Sequence, residues 1–275
     1  MHRVALASPK PERRTRVLLR VRASIVASGI GILAACGALF VARRGSSASP
    51  PMSGRVPVVV ELFSSEGCSS CPPADTYVAA LDRTQPIDGV EVVALEENVD
   101  YWDRLGWRDP FGSPAFSERQ SAYSRALTDH RVYTPEIVFD GHLVMPGGDE
   151  DAARAMMQRS AREPKARIAL RRDGARVVVD VTDAPGSSSD DPPEAWLALT
   201  ESGLATNVQA GEIAGRRLPH APIVRRLTSL GRLTDGALHG SFPLDLAPSW
   251  SSSALRIVAF VQDAKSLKIV GAATL

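Results

Sequence analysis

The sequence contains little cysteine, few aromatic residues and almost no net charge, and these shortages exclude several classes of protein. Three cysteines in 275 residues are too few for a disulfide-dense miniprotein. With 44% hydrophobic residues and 21 glycines, the composition also excludes wholesale disorder and a collagen-like chain. There is no phosphate-binding glycine loop, no HExxH, no Gly-x-Ser-x-Gly and no internal repeat. We therefore expect a folded protein whose chemistry depends on few residues.

The net charge of +1 is the sum of two unlike segments. Residues 1–44 carry nine lysines and arginines and one acid, a net charge of +8. Residues 45–275 carry 23 basic and 30 acidic residues, a net charge of −7. Because a net-acidic body repels polyphosphates, nucleic acid is not expected as a partner.

The basic segment leads into an uncharged stretch that predicts export. Residues 23–42 contain no charged side chain, and a helix of that length spans about 30 Å, the thickness of the hydrocarbon core of a bilayer. We predict that residues 1–44 form an uncleaved anchor in the bacterial inner membrane, with the positive amino terminus in the cytoplasm. Residues 45–55, rich in Gly, Ser and Pro, would tether a body on the periplasmic or extracellular side. A lipoprotein acylated at Cys36 and a secreted, cleaved form stay open as alternatives.

The other two cysteines, Cys68 and Cys71, form one Cys-x-x-Cys between a predicted strand and a predicted helix. Residues 56–63 are a β-branched apolar run typical of a buried strand, and Pro72 and Pro73 suit a first helical turn. Unpaired N–H groups and the dipole at a helix N-terminus stabilise a thiolate. We predict Cys68 as the exposed nucleophile and Cys71 as the resolving thiol of a dithiol–disulfide couple.

Two other uses of this cysteine pair stay open at the level of the sequence. In an oxidising compartment the pair could form a static structural disulfide. A structural zinc site needs four ligands, and only one Cys-x-x-Cys is present, so we predict no metal site. Copper handling by the pair and a distant histidine is a further alternative, with His130 and His142 the nearest in sequence.

The order of predicted elements indicates an α/β fold. A strand over 89–95, a helix over 113–127, a hairpin of strands 135–139 and 142–145, and a helix over 149–162 follow the Cys-x-x-Cys helix. With Cys-x-x-Cys after the first strand, this order is that of a thioredoxin-like domain, which we place at 56–164. Residues 165–275 contain short strand patterns without helical periodicity, which predict a small antiparallel β-sandwich domain.

Three sequence blocks make the resemblance more specific. VELFSSEGCSSCPPAD, VDYWDRLGWRDPF and VYTPEIVFDG are together similar to the DUF1223 family of thioredoxin-like secreted proteins, whose function is uncharacterised. The resemblance implies a redox site in which Thr134-Pro135 is a cis-proline dipeptide facing the disulfide. A histidine is expected before the VDYW block, whereas this chain has Asn98, so a proton-transfer role there is absent.

Other candidate site residues lie within these blocks. Glu61 ends the first strand, and the resemblance to thioredoxin-like proteins, which bury an acid in this strand, implies that it accepts the proton of the resolving cysteine. Its position is offset by one residue from that acid, which could direct it to the opposite face of the strand. A solvated strand-end carboxylate is the alternative. Tyr101, Trp102 and Trp107 are either a substrate-binding wall beside the Cys-x-x-Cys or aromatics that fill a gap over the core.

One basic segment in the second half also has two interpretations. The charged side chains of GRRLPHAPIVRR are interpreted as a solvated face, with a carboxylate-binding patch as the alternative; they are Arg216, Arg217, His220, Arg225 and Arg226.

The leading hypothesis is an exported, membrane-tethered thiol–disulfide oxidoreductase. Its partners would be protein thiols or disulfides, and no organic cofactor is implied. A non-catalytic extracytoplasmic binding protein with a structural disulfide is the main alternative.

Overall fold

The structure, a computed structural model, describes residues 54–186 and 190–275, all of which belong to one compact unit. The predicted anchor over residues 1–44 and most of the predicted tether lie outside these residues. Among the described residues, no helix is long and apolar enough to cross a membrane.

The first half alternates strands and helices in the predicted order. Its elements are β1 (Val56–Ser64), α1 (Pro72–Thr84), β2 (Val90–Asn98), a short 3-10 helix (Asp103–Leu105), α2 (Pro114–Leu127), β3 (Glu136–Phe139), β4 (Leu143–Pro146) and α3 (Glu150–Ser160). The helix starts have local causes in the sequence. The side chain of Ser113 accepts the N–H of Ala115 at the start of α2, and Asp149 does the same for Ala152 at α3.

The second half contains only strands within the described residues. They are β5 (Arg167–Asp173), β6 (Arg176–Thr182), β7 (Glu194–Glu201), β8 (Ala205–Asn207), β9 (Arg217–Pro219), β10 (Ile223–Arg232), β11 (Leu238–Pro243), β12 (Leu255–Gln262) and β13 (Ile269–Thr274). Turns at Asp173-Gly174 and at Asp263-Ala264-Lys265 connect the antiparallel pairs β5–β6 and β12–β13.

Eight strands from both halves form one mixed sheet in the order β13–β12–β7–β10–β2–β1–β3–β4. β1 pairs with β2 in parallel and with β3 in antiparallel fashion. The two halves meet where Ile223 of β10 pairs in parallel with Glu96 of β2. A three-stranded sheet, β11–β6–β5, packs its apolar side chains against those of β7 and β12, and β8 and β9 form a separate ribbon.

The second half therefore differs from the separate β-sandwich predicted for residues 165–275. Two layers do face each other there, but one of them is continuous with the sheet of the first half. The physical reason lies in the edge of β2, whose backbone groups would be unpaired in the first half alone. β10 meets that edge at one residue, Glu96, whose N–H donates to Pro222 O at 2.9 Å, and a strand pattern in a sequence does not indicate which strand will be the partner.

The two faces of β1 separate two parts of the core. Val58, Val60 and Leu62 pack against α1 and α3, whereas Val59 and Phe63 face the side of the sheet that α2 covers. Since successive strand residues point to opposite faces, each polar residue of β1 and β2 belongs to one side or the other.

Candidate functional site

The Cys-x-x-Cys lies where the sequence predicts it, between β1 and α1. Cys68 and Cys71 form a disulfide, and Cys71 is the N-cap residue of α1, with Pro72 as the first helical residue. A series of short backbone hydrogen bonds shapes this turn: the N–H of Cys68 donates to Ser65 O at 3.1 Å, and that of Cys71 to Cys68 O at 3.2 Å. The disulfide is therefore part of the helix start.

Both cysteines are buried, with 0% of each residue exposed, so Cys68 differs from the exposed nucleophile that we predicted. Two neighbours account for this. The carbonyl oxygen of Thr134 lies 3.8 Å from Cys68 Sγ, and the hydroxyl of Ser70 lies 3.3 Å from the same sulfur. Ser69 and Ser70 are themselves exposed, so the disulfide lies directly beneath the surface of the turn.

The segment before β3 meets the disulfide, as the resemblance implies. The peptide bond between Thr134 and Pro135 is cis, and the Ser70 hydroxyl donates to Thr134 O at 3.5 Å. Three separate parts of the chain thus converge here: the Cys-x-x-Cys turn, the Thr134-Pro135 dipeptide and the aromatic loop after β2.

The predicted aromatic residues all lie around this turn. Trp102 donates its Nε1–H to Thr134 Oγ1 at 2.9 Å, and its Cβ would be 3.0 Å from a Cβ added to Gly67. Trp107 donates to Glu66 Oε2 at 2.7 Å. Tyr101 donates to Gln120 Oε1 at 3.1 Å, and burial raises its pKa to about 12. All three are half-buried, so they both support the turn and present surface beside it.

Glu61 does not reach the disulfide, because it points to the α2 face of the sheet. It is completely buried, accepts a hydrogen bond from Tyr123 Oη at 2.6 Å and pairs with the Arg119 guanidinium at 2.5 Å. It is therefore neither the proton acceptor of Cys71 nor a solvated strand-end carboxylate. A second acid on the same face, Glu97, lies 3.5 Å from Arg119 Nε.

The other face of the sheet carries a buried histidine with two glutamate partners, an arrangement that the sequence did not indicate. The His220 side chain is 1% exposed, and it donates from Nδ1 to Glu96 Oε1 at 2.9 Å and from Nε2 to Glu66 Oε1 at 3.1 Å. His220 follows β9, so it belongs to the segment interpreted as a solvated face, from which it differs. Since Glu66 is two residues before Cys68, this cluster connects the second half to the Cys-x-x-Cys turn.

Glu66 is held on its backbone as well. Its N–H donates to Asp109 Oδ2 at 2.8 Å, and the same carboxylate oxygen accepts from Asn98 Nδ2 at 2.8 Å. Asn98 thus occupies the position of the histidine that the resemblance implies and serves to orient Asp109. Phe111 packs edge-on against His220, with 5.2 Å between ring centroids.

Burial and pairing set the charges in this cluster. Burial alone would lower the pKa of His220, but hydrogen bonds and attraction from Glu66 and Glu96 outweigh it and raise the pKa to about 10. Burial raises the pKa of Glu96 and raises that of Asp109 to about 6. For Glu66, burial is outweighed by hydrogen bonds from His220 and others, so its pKa is lowered. The imidazole is therefore a cation at neutral pH.

A further buried acid, Asp75, lies in the first turn of α1. It accepts the Ser64 hydroxyl at 2.6 Å, and burial, with repulsion from Glu96, raises its pKa well above the ordinary value. In the sequence, Asp75 has the ordinary role of an acid in a first helical turn, where it favours the helix dipole. Its burial follows from packing against the end of β1, which a helix pattern does not reveal.

The residues considered for copper are not gathered at the disulfide. His142 is engaged by Asp140 O at 3.0 Å and by Glu163 Oε1 at 3.2 Å, and His130 is exposed beyond α2. Within residues 54–186 and 190–275, no three His, Cys, Asp or Glu side chains form a group that could hold a metal ion.

The sequence profile described as "Protein of unknown function (DUF1223)" matches residues 59–262, most of the chain. The chain belongs to the DUF1223 family. This confirms the family that the three sequence blocks indicated. The matched range includes the Cys-x-x-Cys, Thr134-Pro135 and His220, and it runs through both halves of the eight-stranded sheet.

Two solved structures are similar to this DUF1223 protein. A protein from Agrobacterium tumefaciens, known from an X-ray crystal structure, is 25% identical with a TM-score of 0.63, over 80% of this chain and 94% of its own. A hypothetical protein from Pyrococcus horikoshii is 14% identical over 40% of this chain and 85% of its own, but its TM-score of 0.19 supports no argument. No curated protein matches the chain significantly.

Proposed function

We propose that this protein is a thiol–disulfide oxidoreductase with a thioredoxin-like first half. The observation that carries the proposal is the position of the Cys68–Cys71 disulfide, which starts α1 directly after a parallel strand and lies against Thr134 O. A thiolate formed there would be stabilised by the N-terminal end of the helix. The Thr134-Pro135 backbone would hold the substrate chain.

The reaction balances without a cofactor. A substrate thiolate attacks Cys68 Sγ, the S–S bond breaks, and Cys71 leaves as a thiolate that takes up a proton. A second substrate thiolate then attacks the substrate sulfur of the mixed disulfide and releases Cys68. The substrate loses two electrons and two protons, and the protein gains both. The reverse sequence reduces a substrate disulfide.

Access to Cys68 requires a local movement, because both sulfur atoms are buried. The Ser70 hydroxyl and the Thr134 carbonyl lie beside the sulfur, and Trp102 packs on the adjacent Gly67. We propose that displacement of the exposed Ser69-Ser70 turn opens the site. The export and membrane anchoring indicated by residues 1–44 belong to the same proposal, since an oxidising compartment suits this chemistry.

A second function is favoured by the burial itself. A disulfide with no exposed atom suits a static bridge, and the protein would then be a non-catalytic binding protein. The two functions differ in the stability of the disulfide. Catalytic couples have reduction potentials of about −120 to −270 mV, whereas structural bridges lie below about −300 mV.

The test is the reduction potential of the couple in the full chain, measured by equilibration with glutathione or dithiothreitol buffers. We expect a value in the catalytic range. The Cys71→Ser variant should trap a mixed disulfide with a protein disulfide substrate, because the Cys68 thiolate attacks the substrate S–S bond, displaces one substrate thiolate and has no Cys71 to resolve the adduct. Cys68→Ser should trap none, and Cys36→Ser serves as the matched control with unchanged activity. A potential below about −300 mV together with no trapped adduct would establish the structural bridge instead.

A further inference from the structure

A cleft of about 840 Å³ lies on the α2 side of the sheet, away from the disulfide turn. It is bounded by α2, by β10 and by the turn between β12 and β13, and five aromatic side chains line it: Phe111, Phe116, Tyr123, Trp196 and Trp250. Sites for small molecules commonly measure about 300–1,000 Å³ and are largely apolar with a few polar groups. The cleft has this size and this character.

The strand that borders the cleft is irregular. The pairing of β10 with β7 shifts between Val224 and Arg226, so that Arg225 is the extra residue of a β-bulge. In a regular strand, successive side chains point to opposite faces. Here the guanidinium groups of Arg225 and Arg226 both lie over the ring of Trp250, at 5.4 and 5.9 Å. The bulge therefore places two cations on one wall of the cleft.

Only one of these two arginines has a carboxylate partner. Arg225 Nε is 3.6 Å from Glu201 Oε2, and its guanidinium also lies 5.1 Å from the Phe111 ring. Arg226 is exposed and has no carboxylate within salt-bridge distance among residues 54–186 and 190–275. The positive charge of Arg226 is thus available to an anion beside the Trp250 ring.

The other charged residues of the cleft are mostly engaged elsewhere. Arg119 pairs with Glu61, and Arg232 with Asp191. Asp263 accepts the N–H of Ser266 at 2.7 Å, Glu194 accepts the Ser229 hydroxyl, and Glu118 is an exposed residue of α2. The arginine pair is consequently the group that can take a new anion.

We propose that this cleft binds a small amphipathic monocarboxylate. The carboxylate would bind at Arg225 and Arg226, because a guanidinium matches a planar carboxylate with two parallel hydrogen bonds. The apolar body would lie along Phe116 and Trp196. This site is separate from the Cys68–Cys71 couple, so the proposal does not depend on the redox function.

The test compares three ligands that share a dodecyl-length alkyl chain and differ in their head group: dodecanoate, dodecanol and dodecyltrimethylammonium. Each is used below the concentration at which it forms micelles or separates from solution. Isothermal titration calorimetry on the full chain should show saturable one-to-one binding of dodecanoate and much weaker binding of the other two. Arg226→Gln should weaken dodecanoate binding about tenfold, the loss expected for a hydrogen bond between charged groups. Arg216→Gln, an exposed arginine of the same segment outside the cleft, should leave it unchanged.

A second variant tests the volume of the cleft. Ala122→Trp, on the α2 wall, should abolish dodecanoate binding without removing a charge, while circular dichroism and the melting temperature verify that the variant is folded. The proposal is overturned if dodecanoate does not bind, if the cationic ligand binds equally well, or if Arg226→Gln binds as tightly as Arg216→Gln.

Discussion

Two buried ionic clusters, each with one cationic side chain between two glutamates, occupy opposite faces of the central sheet. On the α1 face, Glu66 and Glu96 flank His220; on the α2 face, Glu61 and Glu97 flank Arg119. Glu96 and Glu97 are neighbours in β2 and point to opposite faces, so one short sequence serves both clusters.

The clusters differ in their cation and in what they hold. His220 comes from the second half and owes its charge to its two carboxylate partners, whereas Arg119 is charged at all accessible pH values. The first cluster reaches the Cys-x-x-Cys turn through Glu66, and the second anchors α2 to the sheet. The cation is therefore permanent on the α2 face and dependent on pH on the α1 face.

The largest effect is expected from removing the permanent cation. Arg119→Leu leaves Glu61 and Glu97 buried without a cation beside them, and such a loss costs about 3–5 kcal/mol. Urea unfolding measures it. Arg167→Leu, which removes an exposed pair with Asp183 at 3.4 Å, is the control and should cost less than about 1 kcal/mol.

The double variant Arg119→Leu/Glu97→Gln tests how much of this loss of stability arises from Glu97. Burial, partly offset by Arg119, raises the pKa of Glu97 to about 8, so this acid already tends to hold a proton. The double variant should therefore be more stable than Arg119→Leu alone. Equal stability of the two would mean that Glu97 does not depend on the arginine.

A smaller loss is expected on the other face. His220→Gln should destabilise the protein by about 2–3 kcal/mol, because the amide can still donate to one carboxylate while the other remains unpaired. It should also shift the reduction potential of Cys68–Cys71, since Glu66 precedes that turn, whereas Arg119→Leu should not. If both variants shift the potential equally, the two clusters do not have separate roles.

The pH dependence distinguishes the two cations directly. The pKa of His220 is raised from 6.5 to about 10 in the folded state, so its contribution is fully present below pH 6.5 and is lost as the pH rises through about 10. The difference in unfolding free energy between the wild type and His220→Gln should thus shrink from about 2–3 to below about 1 kcal/mol over this range. The difference between the wild type and Arg119→Leu should not follow the same curve, and denaturation series at pH 6, 8 and 10 compare them.

The smallest effect concerns the cover of the disulfide. Trp102→Phe removes the hydrogen bond to Thr134 Oγ1 and should cost about 1 kcal/mol. In the reduced protein it should speed the alkylation of Cys68 by iodoacetamide, because the aromatic loop would then hold the Thr134 segment less firmly. An unchanged alkylation rate would show that Trp102 does not control access.

Much of the first half could be predicted from the sequence, because its signals are local. Apolar runs, Pro72 at a helix start and the Ser113 cap determine where strands and helices begin, and the Cys-x-x-Cys follows from its position between them. The predicted strand over 89–95 was too short, because β2 continues to Asn98. Glu96 and Glu97 are charged, and a sequence pattern does not show that acids will be buried.

The sequence by itself thus determined the order of elements, the family and the pair of cysteines. Only the tertiary structure decided the burial of Cys68, the face on which Glu61 lies and the pairing of His220 with Glu66 and Glu96. Each of these depends on contacts between residues far apart in the chain: Glu66 and His220 are 154 positions apart. Because β10 joins the two halves at β2, the second half supplies the cation beside the Cys-x-x-Cys turn, and no local pattern encodes that meeting.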